Sequence, residues 1–356
     1  MKIIKKERGS VYCNDALWKV LNTQLTELQP SSIFILTDEN TRKYCLPYFL
    51  EHLNTDERLD ILEIPNGEAY KNIASCTQLW DELSTKGADR KSILINLGGG
   101  VVTDLGGFVA CTFKRGIEFI NIPTSLLAMV DASVGGKNGV DLGSLKNQIG
   151  VIKNPYAVFI DTHFLQTLPE TEITSGLAEM LKHGLISSEA YWEKVKTFDS
   201  SELERMTALI WESVEIKNQV VTNDPNEQGL RKTLNYGHTL GHAIESYFMD
   251  LPHRKPLLHG EAIAIGLILA TYISSEMLGF PKQKLNDATQ TILHHFPKVT
   301  FDEKDIDSIL TLLKFDKKNS HGKVYFILLS DIGIHKINCE VPNGLIYKAF
   351  DFYKNY

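Results

Sequence analysis

The stretch SILINLGGGVVTDLGG, residues 92–107, joins a continuous apolar run to a helical pattern through three glycines. A run of this kind is typical of a strand that is buried on both faces of a parallel sheet. Further runs of the same type, separated by helical patterns, lie at 32–38, 59–65, 119–125 and 157–161. This alternation predicts a Rossmann-like open α/β sheet, in which ligands bind at the carboxyl ends of the strands.

The pattern changes after Asp161, where amphipathic helical patterns replace the strands. These helical patterns cover 172–187, 202–223, 234–249 and 259–278. The next strand-like run comes only at 323–330. We therefore predict two domains, a Rossmann-like α/β domain over residues 1–161 and a mainly α-helical domain over residues 162–356.

The composition excludes several classes of protein. Of the 356 residues, 43% are hydrophobic and 23% are charged, as in soluble globular proteins, and the net charge of −7 argues against general binding to nucleic acid or anionic membranes. The longest apolar run, 262–273, is shorter than the roughly 20 residues of a membrane span, and the charged start does not resemble a signal peptide. The five cysteines lack C-x-x-C spacing, which indicates reduced thiols in a cytoplasmic protein.

The three glycines after the strand, Gly98 to Gly100, suit a bound phosphate. Without Cβ atoms they let a phosphate approach the backbone, and the helix that follows offers N–H donors at its N-terminus. The dinucleotide fingerprint G-x-G-x-x-G is not met, because Thr103 occupies the position of its last glycine. A tight strand-to-helix turn without a ligand is the alternative.

Residues 130–150 form a glycine-rich stretch in which neither a helical nor a strand period is evident. An irregular stretch of this length in a compact domain usually has a function. Lys137 and Lys146 offer point charges for a phosphate or a carboxylate, although Asn138 after Lys137 excludes a Walker A loop. A solvated surface loop is the alternative.

Three histidines form another candidate site. His238 and His242 stand at i and i+4 of a helical pattern, and His259 begins the next one. Together with a carboxylate, these histidines have the ligand types of a catalytic zinc site. The spacing favours the pair His238 and His242 but leaves open which histidine binds a metal and which transfers protons. Packing inside a helical core is the alternative.

Basic side chains gather in the same segments although the chain as a whole is acidic. If they converge, they predict a ligand with a phosphate and a carboxylate, and scattered surface cations are the alternative. One of them, Lys182, shares a helix face with Glu179, which fits either an exposed ion pair or a site. The cations are Arg115, Lys137, Lys146, Lys182, Lys217, Arg231, Lys317 and Lys318.

Taken together, these stretches resemble the 3-dehydroquinate synthases, which are NAD-dependent sugar phosphate cyclases. The resemblance runs through nearly the whole chain and rests on several motifs in the family's order. They include GGGVVTDLGGFVA (98–110), PTSLLAMVDASVGGKNGV (123–140), SGLAEMLKHGLI (175–186), RKTLNYGHTLGHAIE (231–245) and LHGEA (258–262).

The resemblance implies that the Rossmann-like α/β domain is a nucleotide-binding domain and that the α-helical domain is a metal-binding domain. It implies that Glu179, His238 and His259 bind Zn²⁺ or Co²⁺, and that His242 lies near the substrate instead. It also implies an NAD site that includes the glycine turn. The cofactor residues so implied are Asp38, Asn66, Gly67, Glu68, Lys71, Gly100, Val101, Val102, Thr103, Asp104, Thr124, Ser125, Lys137, Lys146, Phe164, Leu165, Gln166 and Thr167.

The substrate residues and the assembly are also implied by the resemblance. Arg115 is expected to reach in from a neighbouring subunit, which implies a homodimer. The other implied substrate residues are Asp131, Lys137, Asn147, Lys182, Lys217, Arg231, Asn235, His242 and one of Lys317 and Lys318.

The reaction so implied converts 3-deoxy-D-arabino-heptulosonate 7-phosphate, a sugar phosphate with a carboxylate, to 3-dehydroquinate and phosphate in the shikimate pathway. It combines transient oxidation by NAD, phosphate elimination, re-reduction and intramolecular aldol closure. His242 and Lys137 are the expected proton-transfer groups. The alternatives are a sibling cyclase of the inosose or valiolone type, a metal-dependent oxidoreductase similar to glycerol dehydrogenase, and a binding module without activity.

Overall fold

The computed structural model describes residues 2–143, 145–249, 251, 253–313 and 324–356. The chain divides into two compact units. Unit 1 comprises Met1–Ile173 and Leu203–Glu215, and unit 2 comprises Thr174–Glu202 and Ile216–Tyr356. The predicted domain boundary after residue 161 stays a prediction.

A mainly parallel sheet forms the centre of unit 1. The strands of this unit are β1 (Lys2–Ile4), β2 (Ser10–Cys13), β3 (Ile33–Asp38), β4 (Leu59–Ile64), β5 (Ile93–Gly98), β6 (Glu118–Pro123), β7 (Lys137–Leu142), β8 (Leu145–Ile152) and β9 (Ala157–Ile160). The sheet has the order β1-β2-β9-β6-β5-β3-β4, in which β1 is antiparallel to β2 and the other neighbours are parallel. All five strands predicted for the first domain belong to this sheet, which confirms the α/β class.

Helices follow the carboxyl ends of the central strands. They include α1 (Leu17–Leu28), α2 (Glu39–Tyr44), α3 (Leu46–His52), α4 (Ile73–Thr85) and α5 (Gly100–Thr112). Val102 and Leu105 of α5 share one buried apolar cluster with Phe34 of β3 and Leu94 of β5. The apolar strands are therefore covered by the helices that follow them, as the alternating pattern predicts.

Strands β7 and β8 pair as an antiparallel hairpin, so the prediction of an irregular stretch is wrong for these residues. Gly139 pairs with Gly150 across the hairpin. A Cβ on Gly139 would lie 2.6 Å from the carbonyl oxygen of Ile149, and one on Gly150 would lie 2.5 Å from that of Asn138. The glycines that interrupt the apolar alternation are therefore the residues that let the two strands approach.

Unit 2 is mainly helical, as predicted. The helices that follow β9 in the chain include α6 (Glu170–Ser187), α7 (Glu189–Val195), α8 (Leu203–Asn223), α9 (His238–Met249), α10 (His259–Leu278), α11 (Lys282–His295), α12 (Glu303–Leu312) and α13 (Asn343–Asn355). Two strands, β10 (Tyr325–Asp331) and β11 (Ile334–Glu340), form an antiparallel ribbon. The four predicted helical patterns correspond to α6, α8, α9 and α10, and the predicted late strand corresponds to β10.

In unit 2, α10 packs closely against α9. It is long and apolar enough to cross a membrane by length and composition, but 67% of its apolar window is buried inside the protein, as in a core helix. A Cβ on Gly266 would lie 2.1 Å from the carbonyl oxygen of Gly237, and one on Gly241 would lie 2.7 Å from Cδ1 of Ile263. Glycine at these positions therefore lets the two helices approach within backbone contact.

Candidate active site

Three donor groups in unit 2 converge on one point. Glu179 lies within α6, whereas His238 and His259 are the first residues of α9 and α10. The Oε1 atom of Glu179 is 3.3 Å from Nε2 of His238 and 3.3 Å from Nε2 of His259. Glu179 itself is fully buried. The structure thus brings together the carboxylate and the two imidazoles that the resemblance implies as metal ligands.

His242 stands one turn after His238 on α9 and completes a group of three histidines. Its ring centroid is 5.1 Å from that of His238 and 5.7 Å from that of His259. One ring nitrogen from each histidine lies within 4.8 Å of the others, so the group could hold a metal ion. His242 fits these distances either as a ligand or as a substrate residue, and its role near the substrate stays a prediction.

Buried charges set the protonation of this cluster. Burial by itself would raise the pKa of the Glu179 carboxyl, but Lys182 and the neighbouring histidines lower that pKa well below its ordinary value. Burial would likewise lower the pKa of His259, but the carboxylates of Glu245 and Glu179 raise it to about 10. Glu179 is therefore an anion at neutral pH, and the two carboxylates stabilise positive charge on the ring of His259.

Lys182 is the buried counter-ion of Glu179. It follows Glu179 by one turn on α6 and donates a hydrogen bond to its Oε2 atom. Both side chains are 1% exposed, so the alternative of an exposed ion pair is wrong. With Oε2 engaged by Lys182, the Oε1 atom is the oxygen that faces the two histidines.

Three further residues implied for the substrate lie in unit 2. The side chains of Lys217, on α8, and Arg231 are buried. Arg231 donates from Nη1 to the carbonyl oxygen of Pro225 at 2.8 Å. Asn235 donates from Nδ2 to Oε1 of Glu227 at 2.6 Å. Unit 2 therefore carries buried cations and an oriented amide in addition to the donor cluster.

A second buried charge cluster surrounds Lys71 in unit 1. Its Nζ atom lies 2.7 Å from Oδ2 of Asp104 and 2.7 Å from Oδ1 of Asn147. Oε1 of Glu68 is 3.8 Å from Lys71 Nζ and 3.1 Å from Lys146 Nζ. Burial would lower the pKa of Lys71, but Asp104 and Glu68 raise it, so the lysine is charged. Four residues implied for NAD and one implied for the substrate thus meet in one network.

The glycine turn between β5 and α5 is tight and leaves the helix N-terminus without a side-chain cap. A Cβ on Gly98 would lie 2.5 Å from Cβ of Val102, so close packing alone requires glycine at this position. Gly99 precedes α5 without a capping side chain, and the first turn contains no acidic residue. The tight turn accounts for Gly98, whereas the uncapped helix start favours a bound phosphate.

The other residues implied for NAD follow strands of the sheet at its carboxyl edge. Asp38, for example, caps α2 by accepting a hydrogen bond from the backbone N–H of Thr41 at 2.7 Å. The residues are Asp38 at the end of β3, Asn66 and Gly67 after β4, Gly100 to Asp104 after β5, Thr124 and Ser125 after β6, and Phe164 to Thr167 after β9. This is the edge at which open α/β sheets bind ligands.

The remaining residues implied for the substrate include two exposed cations of unit 1. Lys137 begins β7, and Arg115 ends a short helical turn after α5 with a φ of 71°. Asp131 lies in the helical turn before β7. Lys317 and Lys318 lie outside the described residues. The roles of these five residues stay predictions.

Two family models match consecutive parts of the chain. The model described as 3-dehydroquinate synthase N-terminal matches residues 61–175, and the one described as 3-dehydroquinate synthase C-terminal matches residues 176–319. A 3-dehydroquinate synthase from Parabacteroides distasonis is 43% identical over 350 residues, which cover 98% of this chain and 98% of that protein. The chain belongs to the 3-dehydroquinate synthase family. The resemblance inferred from the motifs is thereby confirmed.

Solved structures of sugar phosphate cyclases share the fold of this family member. A 2-deoxy-scyllo-inosose synthase complexed with carbaglucose-6-phosphate, NAD⁺ and Co²⁺ is 25% identical, with a TM-score of 0.82 and coverage of 96% of each chain. A 2-epi-5-epi-valiolone synthase from Streptomyces hygroscopicus with NAD⁺ and Zn²⁺ bound is 23% identical, with a TM-score of 0.84 and coverage of 100% of this chain and 99% of that one. The predicted order of a Rossmann-like domain and a helical domain is confirmed.

Two glutamates were not identified from the sequence, Glu245 beside the donor cluster and Glu227 beside Asn235. Glu245 lies 3.3 Å from Nδ1 of His259, and Glu227 accepts the hydrogen bond of Asn235. A signal for Glu245 exists, since it follows His242 by three places on α9 and so shares a helix face with it. Glu227 lies between two helical segments, where no period predicts the direction of a side chain.

Proposed function

We propose that this chain is a 3-dehydroquinate synthase that converts 3-deoxy-D-arabino-heptulosonate 7-phosphate to 3-dehydroquinate and phosphate with NAD and a divalent metal. The observation that carries the proposal is the convergence of Glu179, His238 and His259 in a member of this family. Their Oε1 and Nε2 atoms are ligand types that Zn²⁺ and Co²⁺ accept, and one carboxylate with two imidazoles leaves positions for substrate oxygens.

The metal and NAD supply the chemistry that side chains lack. When bound, the metal supplies a Lewis acid that makes a substrate hydroxyl more acidic, and NAD supplies a hydride acceptor that is restored within one turnover. Glu179, His238 and His259 would hold the metal. In unit 1, the N-terminus of α5 would bind the pyrophosphate, and Asp38 would accept a hydrogen bond from the adenosine ribose.

The cations of the chain would bind the two anionic groups of the substrate. Lys182, Lys217 and Arg231 are buried, so each would form strong charge-assisted hydrogen bonds with a phosphate or a carboxylate. Asn235 would orient such a group through its side-chain amide, which Glu227 holds in place. These residues suit a substrate with two separate negative charges.

Proton transfer is assigned to His242 and Lys137. His242 lies beside the donor cluster, and its imidazole has two ring nitrogens that can take and return a proton during elimination and ring closure. Lys137 is exposed at the start of β7, and its amino group would be the second group that exchanges a proton with the substrate. Asp131, Asn147 and a lysine of the pair Lys317 and Lys318 complete the proposed substrate residues.

The assembly and location belong to the same proposal. We propose a homodimer in which Arg115 of one subunit contributes to the substrate site of the other, and its exposed side chain allows such a contact. We also propose a cytoplasmic location without binding to nucleic acid or membranes, which the net charge of −7 favours.

A phosphate-release assay tests the proposal. The purified full chain, loaded with Zn²⁺ and NAD, is incubated separately with the heptulosonate, a heptulose phosphate and a hexose phosphate. We expect phosphate release from the heptulosonate alone, without accumulation of NADH, because the cofactor is restored in each turnover.

Two other outcomes would support the rival functions. Preferential turnover of the heptulose or hexose phosphate would identify a sibling cyclase, whose substrate lacks the carboxylate. Stoichiometric NADH without phosphate release would identify an oxidoreductase similar to glycerol dehydrogenase. Either result would overturn the proposed reaction.

A further inference from the structure

Glu245 contacts a proposed metal ligand from the side opposite the donor cluster. Its Oε2 atom is 3.3 Å from Nδ1 of His259, and its side chain is 4% exposed. Glu179 contacts Nε2 of the same ring. Because the two ring nitrogens point in different directions, Glu245 lies behind His259 as seen from the cluster. It is therefore not a fourth ligand.

The packing of α9 against α10 places Glu245 opposite His259. Gly237 contacts Gly266, and Gly241 contacts Ile263, so the contacts progress in opposite directions along the two helices. Continuing this register by one turn brings Glu245 of α9 to the first residue of α10. The position of Glu245 thus follows from the close approach that the glycines permit.

The start of α10 is fixed from a second side as well. A Cβ on Gly260 would lie 1.9 Å from the carbonyl oxygen of Ser175, and the backbone N–H of Gly260 donates to Oγ of Ser175 at 3.0 Å. Ser175 lies one turn before Glu179 on α6. This contact fixes the distance between the backbone of His259 and Glu179. It does not fix the orientation of the His259 ring, which Glu245 contacts at Nδ1.

His238 provides an internal comparison. Its Nδ1 atom is 3.1 Å from the carbonyl oxygen of Tyr236, and its Nε2 atom faces Glu179. Each of the two histidines thus has an oxygen acceptor at Nδ1 and the same carboxylate at Nε2. For His238 the acceptor is a backbone carbonyl, whereas for His259 it is the carboxylate of Glu245.

We propose that Glu245 is a positioning residue that accepts a hydrogen bond from Nδ1–H of His259 and thereby turns the Nε2 lone pair toward the metal. The proposal rests on the metal site assigned under the proposed function. An acceptor at the distal nitrogen of a metal-bound histidine fixes its tautomer and ring orientation, and its loss typically weakens metal binding by about 10–100-fold.

The test measures metal binding by the full chain rather than catalysis. Zn²⁺ affinity is determined by competition with a chromophoric chelator for the wild type, Glu245→Ala and Glu245→Gln. We expect Glu245→Ala to weaken binding by about 10–100-fold, and Glu245→Gln to weaken it less, because the amide keeps an acceptor oxygen but loses the charge. The visible spectrum of the Co²⁺-loaded protein should change in Glu245→Ala, because the ring is no longer held.

Glu261→Gln is the matched control. Glu261 lies two residues after His259, but its Oε2 atom accepts a hydrogen bond from the backbone N–H of Leu258 at 2.7 Å. The same chemical change there should leave Zn²⁺ affinity within about twofold of the wild type, a difference below 0.5 kcal/mol. An equal loss in Glu261→Gln would overturn the proposal, since the effect would then come from a disturbed helix start.

Failure of this inference is distinguishable from failure of the proposed function. If the wild type does not bind Zn²⁺, the metal site itself is wrong. If the wild type binds Zn²⁺ and both Glu245 variants keep its affinity and Co²⁺ spectrum, only the positioning role is wrong. A fall in the stability of the metal-free Glu245→Ala chain in urea, without a change in affinity or spectrum, would also overturn that role, because Glu245 would then be purely structural.

Discussion

Each unit has a polar cluster centred on one buried charged side chain, and the two central charges have opposite signs. In unit 1, the cation Lys71 lies among the oxygens of Asp104, Asn147 and Glu68. In unit 2, the anion Glu179 lies among the nitrogens of basic residues. A buried charge is stable only when opposite charge and hydrogen bonds surround it, so each unit carries a preformed polar cluster.

The two clusters differ in how far apart their members lie in the chain. Glu179 and Lys182 are neighbours on one helix, so part of this cluster is local. Lys71 precedes α4, whereas Asp104 lies on α5 and Asn147 on β8, so this cluster joins three separate elements. The anion of unit 2 suits a metal cation, and the cation of unit 1 ties together the segments proposed to hold NAD.

The largest effect is expected from Glu179→Gln. The change removes the negative charge that faces His238 and His259, and we expect Zn²⁺ affinity to fall by more than about 100-fold. This loss exceeds the loss of about 10–100-fold that is typical when a residue behind a metal ligand is replaced. It also removes the buried counter-ion of Lys182, which should destabilise the fold by about 3–5 kcal/mol. Chelator competition measures the first effect, and urea unfolding without metal measures the second.

A double variant separates these two effects. Replacing the ion pair by Glu179→Leu with Lys182→Met removes both charges and leaves apolar side chains of similar volume. Such replacements are often neutral or stabilising, so we expect urea stability near that of the wild type, while Zn²⁺ binding stays lost. If Glu179→Gln bound Zn²⁺ with wild-type affinity, the negative charge of the unit 2 cluster would not be what binds the metal, and the contrast with unit 1 would fail.

The next effect in size is expected from Lys71→Met. Removing the cation takes away the buried ammonium group that Asp104 and Glu68 share, which should cost about 3 kcal/mol in urea unfolding and weaken NAD binding in calorimetry. The matched control is Lys86→Met, since Lys86 is 35% exposed and lies 3.4 Å from Asp60, where pairs contribute little. Equal losses in Lys71→Met and Lys86→Met would mean that the unit 1 cluster is no stronger than a surface pair.

The pH dependence sharpens this prediction. The pKa of Lys71 is raised in the folded chain. Its contribution to the free energy of unfolding is therefore fully present below the pKa of the unfolded chain, about 10.4, and is lost only as the pH rises through the pKa of the folded chain. The stability difference between the wild type and Lys71→Met should therefore be constant from about pH 6 to pH 9. A difference that falls to zero within this range would contradict a charged, carboxylate-bound Lys71.

Most of the fold could be predicted from the sequence, because its strands and helices have strong periods. The buried strands β3, β5, β6 and β9 are nearly continuous apolar runs, and α10 has the predicted bounds 259–278. The hairpin of β7 and β8 could not be predicted, since Gly139 and Gly150 interrupt its alternation for the sake of close backbone approach. These residues form strands because β7 pairs with β8, and no local sequence pattern predicts that pairing.

The candidate site was predicted in part, and the limit is again sequence separation. Spacing alone brought forward His238, His242 and His259, but it could not choose a carboxylate, because Glu179 lies on a separate helix. Spacing paired Glu179 with Lys182, but only the resemblance implied that Glu179 is a metal ligand, and the structure places it 3.3 Å from two of the histidines. Glu245 was not predicted, although it shares a helix face with His242. Helical spacing shows which residues lie on one face of α9, but it does not show that this face contacts His259 on α10.

The smallest effect is expected from Lys146→Met, at the rim of the unit 1 cluster. Lys146 and Lys71 both approach Oε1 of Glu68, but the side chain of Lys146 is 14% exposed and that of Lys71 is 5% exposed. Solvent screens the outer pair more, so its loss should cost only about 0.5–1 kcal/mol in urea unfolding, and the cost should shrink at about 1 M salt.

A double-mutant cycle with Glu68→Gln tests whether Lys146 acts through this carboxylate. If the pair at 3.1 Å accounts for the loss, Lys146→Met should cost nothing further once Glu68 is neutral. Lys71→Met should still cost stability in the same background, because Asp104 and Asn147 remain 2.7 Å from its ammonium group in the wild-type arrangement. The opposite result would be a loss of stability for Lys146→Met that equals the loss for Lys71→Met and does not change with salt. Burial would then not explain why some contacts of this cluster are stronger than others.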